Sequence, residues 1–345
     1  MKKTTVATIA AAYLLDALWG DPPGYPHPVR LLGRCIRFLE EKMAPEDCGS
    51  EEARYAGCAL VGIVVGGAWI GARALTSLPG GAVAEALLLY ACLARKDLEK
   101  SALRVAEAVE KGDLDEARRR LTSLVGRDTR PLDRGGICRA AVESTAENLV
   151  DGVLAPLFWA VWGGAPAALA FKAVSTLDSM IGYRDERYRN LGWCSARLDD
   201  LAVFPVARLS IPLVAAAARL RGHDGRRALL IGLRDRLRHQ SPNSAHAQAA
   251  FAGALGLRLG GASLYGGRVR ELPEIGEGTR EAEPCHVREA VGLLNTASLL
   301  GLGVALLFAG GRNFRSHKER VGEERDFSRN SRAGGRICRT RRPGH

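Results

Sequence analysis

The sequence predicts an all-α, polytopic membrane helical bundle with about four to six membrane helices. Three observations carry this. Residues 152–171 and 290–311 are each long enough to cross a hydrocarbon core and hold no Asp, Glu, Lys or Arg. Aromatic residues make up 6% of the chain while glycine is abundant, at 40 residues, and small residues let membrane helices approach closely. No β-rich region and no internal repeat is visible. A set of buried helices in a large soluble α protein is the alternative.

Taken in order, "MKKTTVATIAAAYLLDALWGD" starts like a signal peptide but has no clear cleavage site, and Asp16 sits inside its apolar run. Residues 5–19 therefore read as a retained membrane segment. In "GDPPGYPHPVR" four prolines preclude a regular helix, so Asp21, His27 and Arg30 would ride on a stiff loop. Residues 55–72 nearly span, with Arg73 able to snorkel, and residues 74–94 contain only Glu85. Residues 96–125 read as a soluble helical hairpin. Leu98, Val105 and Val109, then Leu114, Leu121 and Val125, fall at helical spacing, and Gly112 divides the two helices. Asp113 with Glu116 resembles a capping box.

After the run 152–171 come polar segments at 183–200 and 219–248, with a weaker apolar candidate at 201–218 between them, broken by Arg208. Residues 260–284 hold many Gly and Pro and are expected to be a long loop. Residues 312–345 carry eleven Lys/Arg against four Asp/Glu, or +7 of the chain's +11. That tail has too little apolar content to pack and is expected to be disordered. Residues 1–311 thus form one membrane-embedded unit and 312–345 a basic tail. Strong basicity can signal nucleic acid or an anionic membrane. Here it resides in the tail, so lipid contact is incidental and no nucleic-acid partner is expected. Lys2, Lys3, the Arg-rich segment after Ala218 and the tail favour the cytoplasm. The eight cysteines include no CxxC, which excludes zinc-type spacing and suggests reduced, structural thiols.

Three segments concentrate polar groups, residues 20–30, 126–152 and 171–208, with a fourth, weaker one around Ser241. In "GRDTRPLDRGGICRAAVESTAENLVDG" Glu143, Glu147 and Asp151 fall four and four apart, forming one acidic stripe with Asn148 beside it. A solvated helix face is the plain reading. At a membrane boundary, carboxylates are expensive unless paired or cation-bound, and such hard oxygens suit Mg²⁺. Arg127 and Arg130 can grip phosphate or carboxylate. In residues 171–208, Lys172 and Asp178 follow the uncharged run. Asp199 and Asp200 precede the next apolar run, and Arg184, Asp185, Glu186, Arg187 and Arg189 form a mixed-charge loop. Acids and bases converging there would suit a phosphate-bearing substrate with a divalent cation. Ser241, Asn243 and His246 open a small-residue helix, where Ser-Pro-Asn can be a mere cap and turn. There is no P-loop, no GxGxxG after a strand, no GxSxG and no HExxH.

These segments in this order resemble the adenosylcobinamide-phosphate synthase family of cobalamin biosynthesis (CobD/CbiB). The resemblance rests on "GDPPGYPHPVRLLGR", "VGRDT", the stretch from "AAVESTAENLVDG" through "RNLGWCSARLDDL", "PVARL" and "SPNSAHAQAAFAGALGLRLGG". It covers about residues 13–310. It implies a multi-pass protein of the cytoplasmic (inner) membrane with its site facing the cytoplasm. The implied activity joins aminopropanol, or its phosphate, to a propionate of adenosylcobyric acid as an amide, using ATP and Mg²⁺. On the matching positions, Glu147, Asp151, Asp199 and Asp200 would hold metal. Arg30, Arg127, Arg130, Asn148, Lys172, Tyr183, Arg187, Arg197, Ser241 and Asn243 would bind substrate or phosphate. Asp21, His27, Glu143 and Asp178 would position substrate or move protons. Val203 departs from the pattern, where a polar residue, commonly Asn, is expected. Other late corrinoid enzymes are possible partners. The competing readings are a transporter, disfavoured by the absence of paired interrupted spans, and a non-catalytic membrane scaffold.

Overall fold

The computed structural model describes residues 4–22, 27–44, 50–183, 185–265 and 267–337, the side chains of Ser50 and of residues beyond Arg312 excepted. The first helix starts at a reciprocal cap. The Thr5 hydroxyl accepts from the Thr8 N–H, and the Thr8 hydroxyl accepts from the Thr5 N–H, opening α1 (Val6–Trp19). Gly20, at φ 62°, ends it. Its 14 residues make about 21 Å of helix, too short to cross a bilayer unaided. α2 (Pro28–Met43) follows, with Pro at its first position and His27 Nδ1 accepting from the Val29 N–H at 3.3 Å. The expected stiff loop is thereby shortened at its end, because Arg30 stands in the first turn of a helix. Residues 23–26 lie outside the described residues.

Four helical stretches are long and apolar enough to cross a membrane: Glu51–Ser77, Arg134–Ile181, Trp193–Leu220 and Pro284–Arg312. α3 (Ser50–Ser77) contains the first. The segment 74–94 makes no span. Gly80 turns the chain at φ 79°, and α4 (Gly81–Tyr90) has only 10 residues. α5 (Arg95–Glu110) and α6 (Leu114–Leu121) form the expected hairpin. Gly112 sits at φ 77°, and Asp113 accepts from the Glu116 N–H at 2.9 Å. Val105, Val109 and Leu121 are fully buried.

α7 (Arg134–Leu149), capped by Asp133, continues through a π-helical turn at Val150–Leu154 into α8 (Ala155–Ile181). Drawn straight, these 48 residues would measure about 72 Å, more than twice the ~30 Å hydrocarbon core. They are not straight. Gly164 adopts φ 71°, ψ −162°, a region that only glycine enters readily. Two residues on, Pro166 lacks the N–H that the Trp162 carbonyl would accept. Arg312 donates to the carbonyls of both Val161 and Trp162, so the groups freed by the break find a partner. The uncharged run 152–171 is therefore two helical arms with a break between them, not one crossing.

α9 (Tyr188–Leu191) is a single turn. α10 (Trp193–Leu220) carries Pro205 and Pro212. α11 (Gly225–Asp235) begins at Asp224, which accepts from the Arg227 N–H at 2.9 Å. α12 (Ser244–Leu255) is buried almost throughout. It can nest there because the contact with α11 is made by small residues: a Cβ at Gly253 would lie 2.9 Å from the Ala228 Cα, and one at Gly232 3.3 Å from the Ala250 Cβ.

The expected loop at 260–284 is largely a β-hairpin. β1 (Arg258–Tyr265) pairs antiparallel with β2 (Arg268–Gly276), with a register break between Leu259 and Gly261. Gly260 and Gly261, at φ 86° and 88°, make that break. α13 (Pro284–Ile337) ends the described chain. The expected disordered tail concerns side chains beyond Arg312 and residues 338–345, which lie outside the description. Among the described cysteines Cys92 and Cys138 are buried, Cys194 is half-buried and Cys35, Cys58 and Cys285 are exposed. The whole is an all-α membrane bundle with one hairpin laid against it.

Candidate active site

The local structure gathers carboxylates from three separate helices. Glu147 lies on the last turn of α7. Asp151 lies in the π-turn, whose extra residue re-aims the side chain relative to a regular helix. Asp178 comes from the end of α8, where its carbonyl accepts from the Gly182 N–H at 2.7 Å. Asp199 and Asp200 come from α10. All five line one cavity of about 290 Å³, together with Tyr183, Gly182, Gln240, Ser241, Asn243, Ser244 and Arg270, and with Val150, Ala196 and Val203 as its apolar part.

The loop before α12 locks this wall in place. Ser241 Oγ donates to Asp200 Oδ1 at 3.2 Å, and Asn243 Nδ2 donates to the Asp200 carbonyl at 2.7 Å. Asn243 Oδ1 accepts from Arg208 at 3.0 Å. Ser-Pro-Asn is thus more than a turn: Asn243 makes no side-chain cap on α12 and ties it to α10 instead. Gln248 Nε2 donates to Glu147 Oε2 at 3.2 Å. Below them His246 is fully buried. Burial, with Arg208 and Arg236 nearby, pushes its imidazole down to about 4, so it is neutral at physiological pH.

The electrostatics are lopsided. Asp199 lies within Coulombic reach of Glu147, Asp151, Asp178 and Asp200. Lys172 lies within Coulombic reach of Asp151 but does not line the cavity. Among the described lining residues, Arg270 is the one Arg or Lys against five carboxylates, a formal charge of −4. Such a wall attracts cations. Its hard oxygens fit Mg²⁺ by type, yet among the described residues no three His, Cys, Asp or Glu side chains are gathered at metal-holding spacing. Mg²⁺ is commonly bound through one or two carboxylates plus water and substrate phosphates, so the donor set fits without a ready-made cage.

Several anticipated residues stand elsewhere. The acidic stripe splits, because Glu143 is buried away from the cavity. One of its oxygens accepts from Arg127 at 2.7 Å and the other from the Gly260 N–H at 2.7 Å. Arg127 also donates to Ser263 Oγ at 3.1 Å. Asn148 donates to the Ser144 carbonyl and hydroxyl. His27 faces Asp21 at 3.2 Å, and Arg187 pairs with Glu40 at 3.2 Å, both apart from the cavity. Arg30, Arg130 and Arg197 are exposed and line none of it. Val203, at the departure from the expected pattern, faces the cavity as apolar wall. Arg270 had escaped notice because its segment read as loop. The alternation of Arg and Glu with Val, Leu and Ile over 268–275 was the available signal.

The profile of CobD/Cbib proteins matches residues 9–294, a stretch that contains every residue lining the cavity. The chain belongs to the CobD/CbiB family. It is 45% identical over 313 residues to the cobalamin biosynthesis protein CobD of Pelobacter propionicus, covering 88% of this chain and 96% of that one. It is 44% identical over 307 residues to CobD of Klebsiella pneumoniae, covering 87% and 96%. It is 42% identical over 311 residues to CbiB of Salmonella typhimurium, covering 88% and 97%. No solved structure matches it. The acid wall, its Ser241–Asn243 clamp and Arg270 thus all belong to the CobD/CbiB portion of the chain.

Proposed function

We propose that this chain serves cobalamin biosynthesis as an adenosylcobinamide-phosphate synthase of the cytoplasmic membrane. It would join aminopropanol or its O-phosphate to a propionate of adenosylcobyric acid. The observation that carries this is the five-carboxylate cavity, built wholly within the region shared with relatives named cobalamin biosynthesis proteins.

The chemistry follows from the groups present. A carboxylate anion is a poor electrophile, so the propionate needs activation. ATP would supply it by transferring its γ-phosphoryl to the propionate oxygen, with Mg²⁺, when bound, shielding phosphate charge. Glu147, Asp151, Asp178, Asp199 and Asp200 are the residues that would hold the ion. The same acid wall draws in the ammonium of the amine. One carboxylate accepts a first proton, which frees the nitrogen lone pair, and the departing phosphate carries off the second as the amide forms. The nitrogen bonds to the acyl carbon, the C–O bond to phosphate breaks, and phosphate leaves. Val150, Ala196 and Val203 supply an apolar wall that limits water, the competing nucleophile. The Arg-rich segment after α10 favours a site open to the cytoplasm.

The test uses Glu147→Gln, Asp151→Asn and Asp199→Asn in purified, folded protein. Amide formation should fall about 100-fold or more in each, the scale on which electrostatic groups act in catalysis. Unchanged turnover in all three would remove the acid wall from the mechanism. In cells, a deletion strain should accumulate cobyric acid and be rescued by cobinamide.

A further inference from the structure

Among the described residues lining the five-carboxylate cavity Arg270 is the one Arg or Lys, and no ion pair joins it to those carboxylates. It reaches that position through the hairpin. Residues directly opposite in an antiparallel ladder share a face, and Arg270 is paired with Ser263. Ser263 is buried and accepts from Arg127 at 3.1 Å; Arg270 opposite it is an exposed residue whose side chain lines the cavity. Its guanidinium lies 5.4 Å from the ring of Tyr265, within cation–π range. The strands are held to the bundle at both ends. Gly260 N–H donates to Glu143 at 2.7 Å, the Asp128 N–H donates to the Leu264 carbonyl at 2.8 Å, and the Gly267 N–H donates to Asp128 Oδ2 at 3.1 Å.

A cavity with an acid wall and one guanidinium among its lining groups matches a small dipolar ligand, cationic at one end and anionic at the other. A planar guanidinium binds phosphate oxygens in a two-pronged fashion that an ammonium cannot copy. We propose that Arg270 is the specificity-determining residue that binds the phosphate of a phosphorylated amino alcohol while the carboxylates face its ammonium. This rests on the amide-forming reading above. It assigns Arg127 and Glu143 a positioning role, since they fasten the strand that carries Arg270.

Equilibrium binding to the full chain in detergent separates the alternatives. 1-Amino-2-propanol O-phosphate and unphosphorylated 1-amino-2-propanol are titrated into wild type, Arg270→Gln and Arg270→Lys, and ATP is titrated separately. Wild type should favour the phosphorylated amine by at least tenfold. Arg270→Gln should erase that preference while the plain amine's affinity moves less than twofold, and Arg270→Lys should keep part of it. A preference that survives in Arg270→Gln, an equal loss for both amines, or a loss confined to ATP would each overturn the assignment. Amide formation by wild type is scored in parallel. Its absence would refute the proposed reaction, whereas the binding comparison judges Arg270 independently of turnover.

Discussion

Asp151 and Asp178 stand 27 residues apart in one helical stretch and line the same cavity. A straight helix would hold them about 40 Å apart. The break at Gly164 is what lets α8 come back, so the conformation of one glycine at one end of the bundle sets the charge density of the site at the other.

Gly164→Ala tests that link. At φ 71°, ψ −162° alanine is strained, and its Cβ would fall 2.7 Å from Glu85 Oε1. The expected loss is roughly 1–3 kcal/mol of stability, with amide formation reduced further as the two arms shift. Gly62→Ala, where a Cβ meets nothing within 4 Å, is the control and should be neutral or slightly stabilising. Unfolding of both variants measures the difference. Equal effects would deny Gly164 its role.

The acid wall should trade stability for function. Asp199 is surrounded by four like charges, so Asp199→Asn should raise the thermal midpoint of the ligand-free protein while lowering turnover. A variant that is both inactive and less stable would point to a structural role for Asp199.

Arg127 and Glu143 form a buried pair at 2.7 Å. Removing one partner of a buried pair typically costs about 3–5 kcal/mol. Arg127→Ala should accelerate hydrogen exchange of the amides in 258–276 more than elsewhere in the chain. Uniform acceleration, or none, would sever the pair from the hairpin.

His246 makes a prediction about acid. Its folded value of about 4 lies below the unfolded value of 6.5. Its contribution to stability is thus complete above pH 6.5 and is lost as pH falls toward 4, because the unfolded chain takes up a proton that the folded chain refuses. The thermal midpoint should drop across that window, and less steeply in His246→Leu. Parallel pH profiles for the two proteins would contradict this.

Arg312 sits beside the break in α8. It donates to the Val161 and Trp162 carbonyls, so Arg312→Ala should destabilise by roughly 1.5–3 kcal/mol at most, the scale of a hydrogen bond from a charged donor. A chain ending at Arg312 should keep turnover. Loss of activity in that folded truncation would give the basic tail a catalytic part.

Much of the site was legible because its chemistry is written in short polar motifs at the ends of apolar runs. Glu147, Asp151, Asp178, Asp199, Asp200, Ser241 and Asn243 were all read that way, and all meet in one cavity. What was not legible depends on pairing across distance. Glu143 shares a helical stripe with Glu147 and Asp151, but a partner strand more than 100 residues later captures it. The hairpin was hidden by its glycines and by Pro273 within a strand, residues that ordinarily mark loops. The break in α8 did carry a local sign, the Gly163–Gly164–Ala165–Pro166 sequence. An uncharged run of that length obscured it, since hydropathy reports burial and not direction.

The central claim is that this acid-walled cavity makes an amide. The direct test reconstitutes the purified chain in lipid with adenosylcobyric acid, aminopropanol or its phosphate, ATP and Mg²⁺, and follows products by mass. The account predicts a product equal to the acid plus the amine less one water, with one ADP and one phosphate released per amide, and a loss of about 100-fold or more in Asp151→Asn. Folded wild type that forms no amide with either amine, or Asp151→Asn protein that matches it, would contradict the claim.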